Sequence, residues 1–370
     1  MIQDVFIIGA NGNVGSKLVR QIFEKGDTDP DLHENPTRVV GLSSISSIIY
    51  DPHGLSKKRC YEFSNSRDNE SRYALNDLLE IVRKNPSDGK LTFVDVTTSR
   101  EPMRDFHLQV IHKTPYGIVT SNKNPITMVD SESFRDLVKH TKRYGFRCSV
   151  MAGANAIDEI KDFMDLGDHV RRIRGCFSGT LGYICSGLQL GRPFSGIVKE
   201  AKERGYTEPH PAEDLSGIDA SKKILILART AGITVDMGDV LITPFIEEEF
   251  LKERDVEKFM TRLPELDERF LRETNALEAR GEVLRYVAQL SYDGKKPLLT
   301  VGPSRELKDS QLGILNKTAN KIVIHTDIYT SENPCIIEAP GAGLELTAQN
   351  VRRDLLQQIR ERTINYSNGS

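Results

Sequence analysis

The sequence has no excess of charge of either sign and no long apolar run. Its 370 residues include 50 basic and 53 acidic side chains, for a net charge of −3. There is therefore no polybasic patch of the kind that nucleic-acid-binding proteins use. No basic leader or long apolar stretch suggests a signal peptide or a membrane span. These absences favour a protein that binds neither nucleic acid nor membrane.

The five cysteines are odd in number and scattered along the chain. They match neither a disulfide framework nor a paired-cysteine metal site, which predicts a reducing, cytoplasmic location. The length predicts two or three domains. Residues 26–37 and 64–72 are polar and rich in helix breakers, which indicates long surface loops.

The N-terminus has the pattern of a dinucleotide-binding unit. An apolar strand over residues 4–8 precedes a glycine-rich turn and a helix over residues 14–24. Glycines in such a turn let the backbone approach a pyrophosphate, and the helix start supplies N–H groups to it. The candidate cofactor residues here are Gly9, Asn11, Gly12, Asn13, Val14 and Gly15. The alternative is a tight turn in another α/β fold.

The second strand, residues 37–42, lacks the acid that usually holds the ribose 2′-hydroxyl of NAD. It ends at Ser43 and Ser44, and Lys57, Lys58 and Arg59 follow. Hydroxyl and basic groups suit a 2′-phosphate, so the sequence favours NADP, with NAD as the alternative.

Further predicted strands bring polar residues to the same rim of the sheet. The strand over residues 91–96 leads into Thr97 and Thr98, and the strand over residues 117–120 leads towards Lys123. Ligands bind at this carboxyl edge in open α/β sheets. Helices over residues 73–84, 100–113 and 131–144 and a strand over residues 146–150 complete a domain of residues 1–150.

Residues 151–340 are predicted to form a second, α+β domain. Its helices are expected at residues 157–166, 194–204, 247–261 and 265–280, with another beginning near Ser178. Strands at 170–177, 283–288, 297–301, 321–329 and 335–338 predict an antiparallel or mixed sheet. A last helix over residues 344–360 is expected to return to the first domain, with Gly343 at the cofactor edge, so that residues 341–370 complete it.

The most distinctive stretch lies between Gly205 and Lys223 and concentrates charge. Glu208 and Asp214 come from a loop, and Ser216 is predicted to cap a helix, with Asp219 completing a capping box. Asp219 and Lys223 are four residues apart and share a helix face. One interpretation is a solvated charged surface. The other is a pocket for a zwitterionic amino acid, with a lysine beside a reacting oxygen.

Several blocks of the sequence resemble homoserine dehydrogenase, both the fungal enzyme and the dehydrogenase half of bacterial aspartokinase–homoserine dehydrogenases. The similar blocks are residues 93–98, 120–123, 177–184, 205–209, 214–223, 341–343 and 347–348. The resemblance runs nearly end to end, and the block from Gly205 through Lys223 is specific to that family. It favours the amino-acid pocket over the solvated surface.

The resemblance implies NAD(P)H-dependent reduction of aspartate semialdehyde to homoserine, a step towards threonine, methionine and isoleucine. By position, Glu208 and Asp219 would hold the substrate ammonium, with Asp214 in the same network. Lys223 would be the general acid, and Lys123 a polarising or alternative acid/base group near the nicotinamide. Gly179, Thr180 and Tyr183 would line the substrate. A homodimer through the second domain is also implied.

The chain departs from the family pattern between residues 147 and 155. Members often hold a sodium or potassium ion there on main-chain carbonyls, which would be those of Val150, Ala152 and Ala154. The acid that usually precedes them is replaced by Arg147, whose charge could substitute for the ion, and Met151 replaces a glycine. A dehydrogenase acting on a related semialdehyde and a catalytically silent nucleotide-binding relative therefore stay open. No aspartokinase half and no regulatory domain after Arg360 are expected, and hence no feedback through such a domain.

Overall fold

The computed structural model describes residues 1–66, 75–140 and 142–364. The strands of this part of the chain are β1 Gln3–Ile8, β2 Thr37–Ser43, β3 Ile48–Tyr50, β4 Lys90–Asp95, β5 Gly117–Thr120, β6 Tyr144–Gly145, β7 Val170–Cys176, β8 Val240–Ile242, β9 Glu282–Tyr292, β10 Pro297–Leu307, β11 Ala319–Thr326 and β12 Cys335–Pro340.

The helices are α1 Asn13–Glu24, α2 Lys57–Ser64, α3 Leu75–Lys84, α4 Glu101–Lys113, α5 Asn124–Met128, α6 Ser131–Val138, α7 Ala156–Asp165, α8 Gly179–Gln189, α9 Phe194–Glu203, α10 Ala212–Leu215, α11 Ile218–Thr230, α12 Glu248–Leu251, α13 Val256–Arg262, α14 Asp267–Glu278 and α15 Leu344–Ile364. The chain divides into two compact units, Met1–Gly153 with Ala342–Ser370, and Ala154–Gly341.

The first unit is built on a six-stranded sheet of order β3-β2-β1-β4-β5-β6. Only β3 runs antiparallel to its neighbour, and β1 is buried along its whole length between β2 and β4. Strands buried on both faces read as continuous apolar runs, which is why the sequence reveals β1 so clearly. The parallel order places the ends of β1, β4 and β5 side by side.

The C-terminal helix α15 packs in the first unit. Ala348, Val351 and Leu355 share an apolar cluster with Leu18 and Val19 of α1. Arg352 forms an ion pair with the buried Asp27. These contacts place α15 beside α1, the helix that follows the glycine turn.

The second unit contains a six-stranded mixed sheet of order β12-β11-β7-β9-β10-β8. The pairs are antiparallel except for β8, which runs parallel to β10. The predicted fold class, a dinucleotide-type α/β domain with an α+β domain on a mixed sheet, is confirmed. No helix in the described parts of the chain combines the length and apolar character that crossing a bilayer requires.

Several predicted elements are wrong. The helix predicted over residues 131–144 ends at Val138, and Tyr144 instead pairs with Ile118 as part of β6. The strand predicted over 146–150 is replaced by two 3₁₀ turns, Arg147–Ser149 and Met151–Gly153. The helix predicted over 247–261 is broken into α12 and α13.

Short elements were also missed, namely β3, β8 and α2, whose first residue is Lys57. Residues 67–74, which belong to the loop predicted over 64–72 and the helix predicted over 73–84, lie outside the described residues.

Candidate active site

The start of α11 differs from the predicted capping box. The N-cap is Gly217 in a left-handed conformation (φ +77°), without a side-chain capping bond. Ser216 ends α10 instead, and its hydroxyl donates to the Glu213 carbonyl at 2.6 Å. A Cβ at Gly217 would come within 1.9 Å of the Tyr286 hydroxyl. Close packing on Tyr286 and a positive φ therefore determine how α11 begins.

Lys223 lies one turn into α11 with only 9% of its side chain exposed. Its Nζ donates to the Phe177 carbonyl at 2.6 Å and lies 2.7 Å from Asp219 Oδ2. A buried ammonium requires such partners. The Phe177 carbonyl belongs to the segment between β7 and α8, whereas Asp219 lies on the same helix as Lys223. The ammonium is therefore held between two elements.

Asp214 links the charged stretch to α8. Its carboxylate accepts from the Glu208 backbone N–H at 2.8 Å and from the Thr180 hydroxyl at 2.9 Å. Burial is the main cause that raises the pKa of Asp214 to about 6, and the charges of Glu208 and Asp219 add to it. Like charges have this effect only when they are close, so the three carboxyl groups form one cluster.

Glu208 is exposed, and in the described parts of the chain its carboxylate has no hydrogen-bond or ion-pair donor. Asp219 is half exposed. The cluster therefore combines a buried lysine, one partly buried carboxyl group and two carboxylates open to solvent. This arrangement can take up a ligand cation while keeping an acid group close by.

Three residues of α8 were predicted to line the substrate. Gly179 begins the helix after the N-cap Ser178. The Thr180 hydroxyl lies between two acceptors, the Asp214 carboxylate and, 2.5 Å away, the Tyr206 carbonyl. The Tyr183 ring packs on Tyr206 with centroids 5.2 Å apart. Its hydroxyl helps to lower the pKa of Glu200 through a hydrogen bond.

The glycine turn of the first unit has the geometry that a phosphate-binding loop needs. Gly9 has φ +87°, and a Cβ on Gly15 would lie 2.1 Å from the Gly9 carbonyl. Asn11 and Val14 are half-buried, whereas Gly12 and Asn13 are exposed. Gly12 is the N-cap of α1 and provides no side-chain capping bond. A helix start in this state leaves backbone N–H groups for an anion.

The backbone of Ser43 holds this loop by hydrogen bonds. Its carbonyl accepts the N–H groups of Gly9 and Ala10 at 2.8 and 2.9 Å. Its side chain is fully buried, and the hydroxyl has no partner among the described residues. Ser43 thus acts on the loop through its backbone.

Two asparagines that are not among the predicted site residues connect the segments after β4 and β5 by hydrogen bonds. Asn122 donates to the Ser99 carbonyl at 2.8 Å, and Asn124 donates to the Thr98 carbonyl at 2.9 Å. These residues flank Lys123, which is half-buried. The signal in the sequence was a side-chain amide on each side of Lys123, which indicates a loop held by side-chain hydrogen bonds. At the other end of the unit, Gly343 directly precedes α15 with φ +149°.

The segment over residues 147–153 is held by α15. The Arg147 guanidinium contacts Asp354 and Gln357, and the backbone N–H of Arg147 donates to Asp354 at 3.1 Å. Met151 and Ala152 both have positive φ, 49° and 50°, where a glycine would be less strained.

The carbonyls predicted to hold a cation already accept protein donors. Val150 accepts from Gly153 N–H at 3.1 Å and Ala152 from Asn350 Nδ2 at 2.8 Å. Ala154 accepts from Ala156 N–H at 2.8 Å. No cluster of three or more metal-binding side chains exists among the described residues.

A glycine turn after the first strand and the parallel strand order define a dinucleotide-binding α/β protein, here with a lysine–carboxylate cluster in its second unit. The family model for homoserine dehydrogenase matches residues 156–356. The homoserine dehydrogenase of Schizosaccharomyces pombe is 30% identical over 370 residues, covering 96% of this chain and 94% of that protein.

Bifunctional aspartokinase/homoserine dehydrogenase 2 of Zea mays, a chloroplastic protein, is 37% identical over 357 residues, covering 95% of this chain. The chain spans 38% of the length of that relative, and also 38% of bifunctional aspartokinase/homoserine dehydrogenase 1 of Arabidopsis thaliana. A protein of unknown function from Candida auris superposes with a TM-score of 0.83 at 26% identity, covering 97% of this chain and 98% of that one.

A hyperthermophilic archaeal homoserine dehydrogenase in complex with NADPH superposes with a TM-score of 0.72 at 24% identity, covering 98% of both chains. The chain belongs to the homoserine dehydrogenase family. The resemblance inferred from the sequence is thus confirmed.

Proposed function

We propose that this protein is a homoserine dehydrogenase, which reversibly reduces L-aspartate 4-semialdehyde to L-homoserine with NAD(P)H. The observation that carries the proposal is the buried Lys223, anchored on the Phe177 carbonyl and Asp219 beside the carboxyl groups of Glu208 and Asp214. Family membership supports the same reaction.

A bound nicotinamide would supply the hydride that the aldehyde carbon accepts, and the residues of the cluster would bind the substrate and transfer the proton. Reduction of an aldehyde develops negative charge on its oxygen, so an ammonium held at that atom lowers the barrier and can donate the proton. Lys223 has this role, and it is the base in the reverse direction. Lys123 is its alternative or its polarising partner.

The carboxylates give the site its preference for an amino acid. The exposed Glu208, whose carboxylate meets no donor among the described residues, and the half-exposed Asp219 receive the substrate ammonium. Asp214 holds the Glu208 backbone in place through the N–H bond at 2.8 Å. Gly179, Thr180 and Tyr183 complete the lining from α8.

The cofactor residues belong to the first unit, and NADP is the preferred cofactor. Support comes from the bare start of α1, the rim at Thr97, Thr98 and Lys123, and the lack of an acid after β2. The NADPH complex of the archaeal relative points the same way. The basic residues beginning with Lys57 lie in the first turn of α2 and are the candidates for the 2′-phosphate.

A monovalent cation does not fit the 147–154 segment as it is built here. Arg147 replaces the acid and brings a positive charge to the segment, and the carbonyls of Val150 and Ala152 each already use one of their two lone pairs on a protein donor. We therefore propose that the activity is independent of added sodium or potassium. We also propose a cytoplasmic homodimer, formed through the second unit as in the family.

Exchange of Lys223 for Met tests the assignment, because Met keeps the aliphatic stem and removes the ammonium. We expect kcat to fall by about 10²- to 10⁴-fold, the range for loss of a general acid or base. The dissociation constant for NADPH, followed by cofactor fluorescence, should change by less than about twofold, since the residues assigned to cofactor binding all belong to the first unit.

The control is Lys222→Met, which removes a neighbouring lysine of the same helix, and Lys123→Met is run in parallel. Full turnover in the Lys223 variant would refute its role. A collapse of kcat in the Lys123 variant alone would transfer the proton-donor role to Lys123.

A further inference from the structure

A buried carboxylate lies directly behind the rim at Thr97. Asp95 ends β4 with no exposed surface. Its Oδ1 accepts the Thr97 N–H at 2.9 Å and the Thr97 hydroxyl at 2.7 Å. A buried charge must be compensated by such donors, so the position of Thr97 is set by Asp95.

The other side of Asp95 faces a buried histidine. His107 Nε2 lies 3.3 Å from Asp95 Oδ2, although the two are poorly aligned for a hydrogen bond. His107 Nδ1 lies 2.8 Å from the Tyr144 hydroxyl, and both rings are buried. Asp95 therefore lies against His107 of α4, and Tyr144 of β6 holds His107 from its other side.

The Thr97 hydroxyl is fully used within the protein. It donates to Asp95 and accepts from Ser99 N–H at 3.2 Å and Asn122 Nδ2 at 3.4 Å. Its methyl group would lie only 2.9 Å from a Cβ built on Gly9. Thr97 thus fixes the rim loop directly against the first glycine of the phosphate-binding turn.

We propose that Asp95, backed by His107, is a positioning residue for the dinucleotide: it holds Thr97 against Gly9 and so fixes the spacing of the two loops that receive the cofactor. Neither Asp95 nor His107 is exposed, so both act through Thr97 rather than by touching the ligand. The proposal rests on the proposed cofactor binding but not on the identity of the substrate.

The test measures the dissociation constant for NADPH by cofactor fluorescence, together with kcat and the KM for each substrate. In Asp95→Ala the two bonds to Thr97 are lost, and we expect NADPH binding to weaken about tenfold or more. At saturating cofactor, kcat should stay within about threefold, because no group of the reacting centre changes. Asp95→Asn keeps an acceptor for Thr97 and should bind NADPH within about threefold of wild type.

Thr97→Val and Thr97→Ser separate the hydroxyl from the methyl group and guard against misfolding of the Asp95→Ala variant. The valine variant should weaken NADPH binding as Asp95→Ala does. The serine variant keeps the hydroxyl bond to Asp95 and loses only the methyl contact with Gly9, so it should weaken binding less. Thr114→Val is the matched control, since the Thr114 hydroxyl also donates (to Val110, 2.7 Å) and accepts (from Tyr116, 3.1 Å) away from the rim.

Folded Asp95→Ala and Thr97→Val variants that bind NADPH like wild type would overturn the proposal. So would a serine variant as weak as the valine variant. A wild-type protein that binds NADPH but does not oxidise homoserine would refute the proposed function and leave this proposal standing.

Discussion

The carboxyl group of Asp214 is subject to opposing influences. Burial and the charges of Glu208 and Asp219 favour its protonated form, whereas the bonds from the Glu208 N–H and the Thr180 hydroxyl favour the carboxylate. A substrate ammonium next to this cluster would favour the carboxylate further. The residue is thus poised to change charge near pH 6.

A pH profile of kcat/KM for homoserine tests this position, because kcat/KM reports the ionisations of the free enzyme. The pKa of Asp214 is raised to about 6. The negative form is the one that supports ammonium binding, so kcat/KM should fall as the pH is lowered through about 6.

Asp214→Asn should remove that inflection, since an amide does not titrate, and should bind homoserine more weakly than wild type above about pH 6, where the wild-type carboxyl group is ionised. An inflection near pH 6 that persists in Asp214→Asn would show that another group is responsible.

At the scale of elements, the start of α11 depends on one glycine. Gly217 combines φ +77° with contact to Tyr286, whose hydroxyl donates to the Thr243 carbonyl at 2.9 Å. Gly205 has φ +69°, but a Cβ there would meet nothing within 4 Å. The two glycines share a backbone conformation and differ in their surroundings.

Gly217→Ala should therefore destabilise the protein more than Gly205→Ala does. A left-handed alanine costs about 1–2 kcal/mol, and forcing a Cβ into a packed site adds about 1–3 kcal/mol. We expect only the first cost in Gly205→Ala and both in Gly217→Ala, measured as free energies of unfolding in urea. Equal losses in the two variants would contradict the packing of Gly217 on Tyr286.

Local patterns were sufficient for some elements and misleading for others. The buried run of β1 and the glycine turn were predictable because their signals lie within a few consecutive residues. The cap at Ser216 was wrong because the packing of Tyr286 on Gly217 determines where α11 begins. The contact between Asp219 and Lys223 could be predicted because the two residues are four apart on one helix. The Phe177 carbonyl that anchors Lys223 could not, because it follows a strand far away in the sequence.

At the scale of the whole molecule, the C-terminal helix shapes residues far away in the chain. Arg147 N–H meets Asp354 across a separation of 207 residues, and Asn350 holds Ala152 across 198 residues. The strand predicted over residues 146–150 is replaced by 3₁₀ turns in a segment where α15 side chains bind the Arg147 N–H and the Ala152 carbonyl. Such long-range contacts leave no local sequence signal.

The measurement that tests the central claim most directly is reduction of NADP by the purified protein with L-homoserine, at alkaline pH where oxidation is favoured. NAD and added sodium or potassium are parallel arms. The account predicts homoserine-dependent turnover, faster with NADP than with NAD and unchanged by either salt. Absence of turnover in a protein that still binds NADPH would contradict it, and would point to a related semialdehyde or to a silent nucleotide-binding protein.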